Sequence, residues 1–307
     1  MNRDHSLCCV ILTVAMMGCS LLPTRQTACS NDRACPSGQR CNPTTSICEP
    51  VDSQPDMSAL TDFAVPLDLS ATPQGMVYVP GGTFMMGDNR LALPSVQPIN
   101  QQTVASFYLD ITEVTVGSYQ QCVSDGNCAD LSPTFNCNWK VAGKENHPIN
   151  CVDWNQADNY CRKNQKRLPT EIEFEYVMRG PQGSTYSWGS ANPISPPDPN
   201  AQLWWNRTIS TGASPVGAFP KTLLGEISTA GVSDIAGNVS EWTSHAFCQY
   251  PLTSNGGQSC DNSKRIYRGG DFFDNKNDEI CGSCRGGPAA LTVSDPILGF
   301  RCAKSIN

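Results

Sequence analysis

"GMVYVPGGTFMMGD", residues 75–88, sets two short apolar runs end to end, with Pro80-Gly81-Gly82 between them. Short apolar runs bounded by Pro and Gly read as strands joined by a turn, so the stretch predicts a hairpin. Downstream, "QTVASFYLDITEVTVGSYQQCVSDG" (102–126) reads as another strand followed by a helix. The helix starts near Thr115, with Tyr119, Cys122 and Val123 spaced to share one face. "CVDWNQADNYCRKNQKR" (151–167) places Trp154, Ala157, Tyr160 and Cys161 on one helical face. "PTEIEFEYVMRG" (169–180) opens with Thr170 three residues before Glu173, the pattern of a capping box. Beyond Gly180 the chain reads as long Gly/Pro/Asn-rich loop with scattered aromatics. Few regular elements and many long loops predict an irregular α+β fold. Such a fold needs fixed points besides its core, such as disulfides or a metal.

The chain has 307 residues, and 75–307 suits one domain. Ahead of it, residues 1–18 have a basic residue at Arg3 and an apolar run from Leu7 to Met17. That run is too short to span a bilayer, which takes about 20 residues, and it reads as an export signal. Gly18-Cys19 follows, a small residue directly before a cysteine. This resembles a bacterial lipoprotein cleavage box and implies lipidation of Cys19, with 19–27 as an anchor segment. Residues 28–49 hold four cysteines in a stretch too small to bury a core. Three pairings are open there, and Cys29–Cys41 with Cys35–Cys48 is the favoured one. A four-cysteine zinc knuckle is the competing reading, but CxxC pairs are absent. Residues 50–74, rich in Pro, Asp and Ser, read as a disordered linker.

Seventeen cysteines in one chain fit an oxidising compartment. Removing Cys8 and Cys9 with the signal and Cys19 to lipid leaves an even number, enough for seven bridges. The expected location is therefore the bacterial envelope, at the outer membrane or cell surface. A net charge of −7 argues against an electrostatic grip on nucleic acid. Three histidines, one of them in the signal, exclude a three-histidine zinc site. No GxSxG elbow, phosphate loop or HExxH helix occurs.

The ordered blocks "VYVPGGTFMMGD", "FYLDITEVTVGSY", "HPINCVDWNQADNYC", "KRLPTEIEFEYVMRG", "YSWG", "SPVGAFP", "DIAGNVSEW", "YRGGDFF" and "GFRCA" together resemble the formylglycine-generating enzyme family, whose domain is also called sulfatase-modifying factor. The resemblance covers nearly all of 75–307 and implies a C-type-lectin-like fold. Enzymes of the family bind copper(I) through two cysteines and use oxygen to turn a sulfatase cysteine into formylglycine. In those enzymes a Gly-Gly-Ser precedes the copper cysteines. Here Gly269-Gly270 match, but Asp271 stands at the serine position, and Asp274 and Glu279 at the copper positions. Carboxylates are hard ligands, ill suited to copper(I). No catalytic residue is therefore expected, and copper is not an expected cofactor. Cys284 falls on a structural cysteine of the family, and Cys281 has no counterpart. As a CxxC pair they read either as a redox dithiol or as a structural disulfide.

"SDIAGNVSEW" (233–242) resembles a calcium loop of the family. The resemblance assigns carboxylate oxygens to Asp234 and Glu241 and backbone carbonyls to Gly237 and Val239, the hard donors calcium takes. It also implies a Cys161–Cys302 bridge. The family's partner for Cys284 falls at Met178, which leaves Cys281 as the nearest candidate. The other cysteines sort into short loops: Cys122 with Cys128, Cys137 with Cys151, and Cys248 with Cys260. Two functional classes stay open. One is a non-catalytic envelope lipoprotein that binds a protein or glycan ligand or serves as an accessory protein, with Trp188, Trp204 and Trp205 as a recognition face. The other is a copper-dependent formylglycine-generating oxidase.

Overall fold

A computed structural model describes residues 35, 39–42, 47–50, 72–89, 91, 93–132, 135–189, 191–193, 203–219, 231–253 and 256–306. Cys19, Cys29, the signal and anchor segments and most of the linker lie outside the described residues. The chain divides into two units, 1–67 and 68–307. Within the first, β1 (Gln39–Asn42) pairs antiparallel with β2 (Ile47–Pro50). Cys35 is bonded to Cys48, and Cys41 is also disulfide-bonded.

The second unit corrects the hairpin predicted at 75–88. β3 (Met76–Val79) and β4 (Gly82–Met86) do not pair with each other. Both pair with the strand expected downstream, which divides into β5 (Asn100–Val104) and β6 (Phe107–Asp110). Val79 faces Phe107 and Gly82 faces Val104 in one unchanged register. The result is a single two-stranded ribbon broken at residues 80–81 and 105–106. The glycines at the break serve close approach and not a chain reversal. A Cβ on Gly81 would lie 2.5 Å from the Val104 carbonyl oxygen, and one on Gly82 2.5 Å from the Tyr176 hydroxyl.

The helices follow local capping chemistry. α1 (Val116–Ser124) begins at Thr115, whose hydroxyl accepts from the Ser118 N–H at 3.1 Å. α2 (Trp154–Lys163) begins at Asp153, which forms a capping box with Gln156. α3 (Glu171–Arg179) has its capping box at Thr170 and Glu173, and Arg167 grips the same Glu173 carboxylate with both terminal nitrogens at 2.7 and 2.6 Å. Every residue of α3 is buried, including Glu171, Glu173 and Glu175.

The region read as loop beyond Gly180 contains the longest strands. β7 (Ser240–Thr253) and β8 (Gly256–Arg268) form an antiparallel pair, flanked by β9 (Gly286–Ala290) and by β10 (Leu298–Gly299), which runs parallel to β7. Four register shifts between Trp242 and Leu252 break the alternation by which strands are recognised in sequence. β11 (Ala303–Ser305) completes a three-stranded sheet beside β6.

Among the described residues two large apolar clusters fill the domain, beside a small third of Ala213, Val239 and Phe272. One gathers α3 residues such as Phe174 and Val177 against Phe84, Met86 and Phe107. The other packs α1 and α2 through Tyr119, Ala157 and Tyr160 against Trp139, Trp242 and Phe300. The bond between Cys161 and Cys302 lies inside the second. Further disulfides join Cys122 to Cys128, Cys137 to Cys151, Cys248 to Cys260 and Cys281 to Cys284. The Cys161–Cys302 bridge spans 141 residues and the Cys122–Cys128 bridge 6. In a chain-entropy account the first is worth about 5 kcal/mol and the second about 2 kcal/mol. Urea unfolding of the Cys161→Ala/Cys302→Ala and Cys122→Ala/Cys128→Ala pairs is expected to show the larger loss in the former. Equal losses would locate the effect in packing and not in the closed loop.

Candidate functional site

Three loops meet next to β7. The first, residues 269–284, is the segment that corresponds to the copper loop in the resemblance. It is organised by its own carboxylates. Asp271 Oδ1 accepts from the N–H groups of Phe273 at 2.8 Å and Asp274 at 3.3 Å, and Oδ2 accepts from the Ser240 hydroxyl at 3.3 Å. Asp274 Oδ2 accepts in turn from the Asp271 N–H at 2.8 Å. Glu279 Oε2 caps the N–H groups of Asn275 and Lys276 at 3.1 and 3.0 Å. All three residues expected at degenerate positions thus hold the loop's backbone in place. Gly270 is required by the same geometry: its φ is +69°, and a Cβ would sit 2.7 Å from Ile280 and 2.9 Å from Asp274 Oδ2. Cys281 and Cys284, bonded to each other, are buried at the end of this loop.

Burial and the neighbouring Asp274 charge push the Asp271 carboxyl up to about 7. Burial, with a contribution from Glu279, pushes Asp274 up to about 6.

The second loop, 233–242, is stitched to the first. The Gly237 N–H donates to the Gly269 carbonyl and the Phe272 N–H to the Asn238 carbonyl, at 2.9 and 3.0 Å. Asp234 and Asn238 both take left-handed backbone, φ 52° and 60°, which their short polar side chains tolerate. Glu241 is engaged elsewhere: its two oxygens accept from Arg301 Nε and Nη2, each at 2.7 Å. Asp234 accepts from the Gly217 N–H through Oδ2, while its buried Oδ1 has no hydrogen-bond partner. Glu113, which sequence reasoning did not single out, sits in the same cluster. Its Oε1 accepts from Asn238 Nδ2 at 2.9 Å and its buried Oε2 has no partner. Burial, and next the Asp234 charge, hold Glu113 well above the usual carboxylate range. The orphaned oxygens at Asp234 and Glu113 suit a hard cation such as calcium; the Glu241 carboxylate is already matched by Arg301.

The third loop carries the tryptophans. Trp205 is buried in the core around α3. Trp188 stacks on Tyr186 at 4.9 Å, and its indole N–H donates to the Ala191 carbonyl at 2.9 Å. Trp204 donates to the Gly212 carbonyl at 2.9 Å, with Arg207 over its ring. Trp188 and Trp204 are half-buried, and their hydrogen bonds tie the rings to loop backbone. Among the described residues the exposed aromatics are Phe273, 52% exposed on the acidic loop, and Phe135, 81% exposed. The Phe272-Phe273 doublet was the available signal: one ring is buried and the other turns outward.

Asp153 and Asp158, both carboxylates at α2, do separate structural jobs. The first caps α2 and the second pairs with Arg162 at 2.9 Å. A cleft of about 350 Å³ beside β4 is lined by Met85, Asp88, Arg179 and Gln182. The Arg179 guanidinium at its floor is spent on the carbonyls of Gly87, Gly183 and Ser184 and on Glu175.

The family described as "Sulfatase-modifying factor enzyme 1-like domain" matches residues 64–306. The chain is 28% identical over 288 residues to formylglycine-generating enzyme of Mus musculus, an alignment covering 74% of each chain. It is likewise 28% identical over 283 residues to inactive C-alpha-formylglycine-generating enzyme 2 of Bos taurus, covering 75% of this chain and 87% of that one. Among solved structures, PvdO from Pseudomonas aeruginosa superposes with a TM-score of 0.59 at 23% identity, over 75% of this chain and 94% of PvdO. The fold is accordingly the irregular, disulfide-rich C-type-lectin-like α+β fold.

The raised carboxyls of the acidic loop carry a pH signature. A carboxyl whose folded pKa lies above its unfolded value stabilises the fold most when protonated, and that contribution is lost as pH rises through the folded pKa. The melting temperature is therefore expected to rise between pH 8 and pH 5. Asp271→Asn is expected to flatten that slope, whereas a variant with the wild-type pH profile would remove Asp271 from the titration.

Proposed function

The chain belongs to the sulfatase-modifying-factor family, and from that premise we propose that it is a non-catalytic member acting as a cell-envelope lipoprotein. In this reading a lipid on Cys19 holds the chain on the outer membrane or cell surface. The family domain then stands at the end of the 50–74 linker as a binding or accessory module for a protein or glycan ligand. Calcium in the 233–242 loop is the expected cofactor.

One observation carries the non-catalytic reading. The positions that correspond to the copper cysteines hold Asp274 and Glu279, and both carboxylates are spent on the loop's own N–H groups. The two cysteines nearby are consumed in their own buried bond. Copper(I) requires soft, free thiolates. The likeness to a bovine relative described as inactive is in keeping with this. Oxygens that tie down a loop are useful to a protein that presents a fixed surface, and the outward Phe273 gives that surface an apolar point among acidic residues.

Anchorage rests on the Gly18-Cys19 sequence and the short apolar run before it. Among the described residues no helix is long and apolar enough to cross a membrane. A lipid chain would contribute about 0.8 kcal/mol of membrane affinity per buried CH₂.

The purified chain is titrated with copper(I) and incubated with a Cys-x-Pro-x-Arg sulfatase peptide under oxygen. No stoichiometric copper binding and no aldehyde by mass spectrometry are the expected results. An aldehyde product would establish the oxidase and end the non-catalytic reading.

A further inference from the structure

The cations of this acidic chain are not spread evenly. Arg162, Lys163, Lys166 and Arg167 fall within six residues, and no acidic residue lies between Asp158 and Glu171. Arg162 and Lys163 sit in the last turn of α2, where positive charge complements the helix dipole. Lys166 and Arg167 lie beyond it. Gln165 takes left-handed backbone, φ 57°, just past the helix end, where Gly or Asn is usual, and turns the chain away. Arg167 and Ala303 then exchange two backbone hydrogen bonds, of 2.8 and 2.7 Å. The Cys161–Cys302 bond ties the same two segments together a second time. They form a cleft of about 230 Å³, lined by Gln165, Lys166, Arg167, Lys304 and Ser305.

Three cations and a hydroxyl thus line one small, cross-linked cleft, and their donors are only partly used. Arg167 is committed: Nη1 and Nη2 grip Glu173, and Nε donates to Ser305 Oγ at 3.1 Å. Ser305 accepts that bond and keeps its own O–H to give. Lys166 donates one hydrogen to Asp110 at 2.6 Å and keeps two. Lys304 makes no hydrogen bond or ion pair among the described residues. Asp110 and Glu173 answer Lys166 and Arg167, so one positive charge in the cleft is unmatched. Fastening the end of α2 accounts for Lys166 and Arg167. It does not account for Lys304.

The donors left over decide the kind of anion. A carboxylate is best held by the planar fork of an arginine, and the fork of Arg167 is already filled by Glu173. What remains is two ammonium groups, which are point charges with no preferred plane, and a hydroxyl. That set suits a tetrahedral oxyanion. A phosphomonoester brings three acceptor oxygens and a charge of about −1.5 to −2 near neutral pH, enough to engage both lysines at once. We propose that the cleft between the end of α2 and β11 binds a phosphomonoester group, with Lys304, Lys166 and Ser305 as its donors. The group belongs either to a small soluble molecule or to a lipid headgroup, and the chemistry at the cleft is the same. The site uses no residue of the 233–242 or 269–284 loops and stands whether or not the chain is catalytic.

The test uses the full chain with Cys19→Ser, so that no lipid on that residue brings it to a vesicle. Binding of glycerol 3-phosphate is read by calorimetry, with acetate as the carboxylate comparison. Binding to phosphatidylcholine vesicles, with and without phosphatidic acid, is read by sedimentation. Glycerol 3-phosphate or the phosphatidic acid vesicles are expected to bind, and acetate and plain phosphatidylcholine are not. Binding of glycerol 3-phosphate assigns a soluble source, and binding of the vesicles alone a headgroup. Lys304→Gln is expected to weaken binding about tenfold, the scale of one charge-assisted hydrogen bond. Its melting temperature should stay at the parent value, because Lys304 has no partner to lose. Ser305→Ala should weaken binding as well. Lys163→Gln removes an exposed cation outside the cleft and should leave binding within about twofold at physiological salt, where distant charges are screened. Equal losses in Lys163→Gln and Lys304→Gln would reduce the site to a diffuse basic surface and overturn the proposal. Binding of neither phosphate probe, or acetate bound as tightly as glycerol 3-phosphate, would overturn it too.

Discussion

A chain of buried charges on α3 is the constraint on which the rest of the domain depends. Asp88, Arg179, Glu175, Arg268, Glu171 and Arg285 follow one another in contact. Glu171, Glu175 and Arg268 are wholly shielded from solvent, and Arg285 nearly so. Buried ions are costly unless every one is paired and hydrogen-bonded. Here the guanidinium groups use their spare donors on segments with little regular structure of their own. Arg179 reaches the carbonyls of Met85, Gly87, Gly183 and Ser184. Arg268 reaches the Cys284 carbonyl, and Arg285 the carbonyls of Ser95 and Cys248. One nine-residue helix thereby pegs five separate stretches of chain. In a fold with few ladders, side chains do the work that sheet hydrogen bonds do elsewhere.

The functional loops use the same device. Arg301 gathers carbonyls from residues 110–111 and 233–234, with Glu241 as its counter-charge. Asp271, Asp274 and Glu279 cap the N–H groups of the 271–276 turn. On the proposed reading, exchanging thiolates for carboxylates at 274 and 279 does more than remove copper ligands. It replaces reactive groups with internal staples, and so turns a reaction site into a rigid surface. The Cys281–Cys284 bond at the end of the loop works in the same direction.

The helices were legible in the sequence because their signals are local. Thr170 and Glu173 stand three residues apart, and the box they form needs nothing beyond α3. Thr115 likewise announced α1. Asp153 caps α2 in the same local way, with Gln156 three residues on as its partner. Strand pairing was harder, since Pro80-Gly81-Gly82 carries the composition of a turn while it occupies a break in a ribbon. That distinction depends on Val104 and Tyr176, which are remote in sequence. β7 and β8 were missed because bulges scramble their period, and Pro251 argues against a strand. At the site, the loop residues were found by their resemblance to a known pattern. Glu113 was not, because it lies in an ordinary strand-to-helix connection and its importance appears only as an oxygen without a donor.

The central claim, that α3 holds the irregular segments through its buried charges, meets its most direct test in Glu175→Gln. This change keeps the shape of the side chain but leaves Arg268 and Arg179 short of a counter-charge. Urea unfolding with the disulfides intact is expected to show a loss of about 3–5 kcal/mol, the scale for breaking a buried pair from one side. A variant within about 0.5 kcal/mol of wild type, the range of an ordinary surface substitution, would contradict the account.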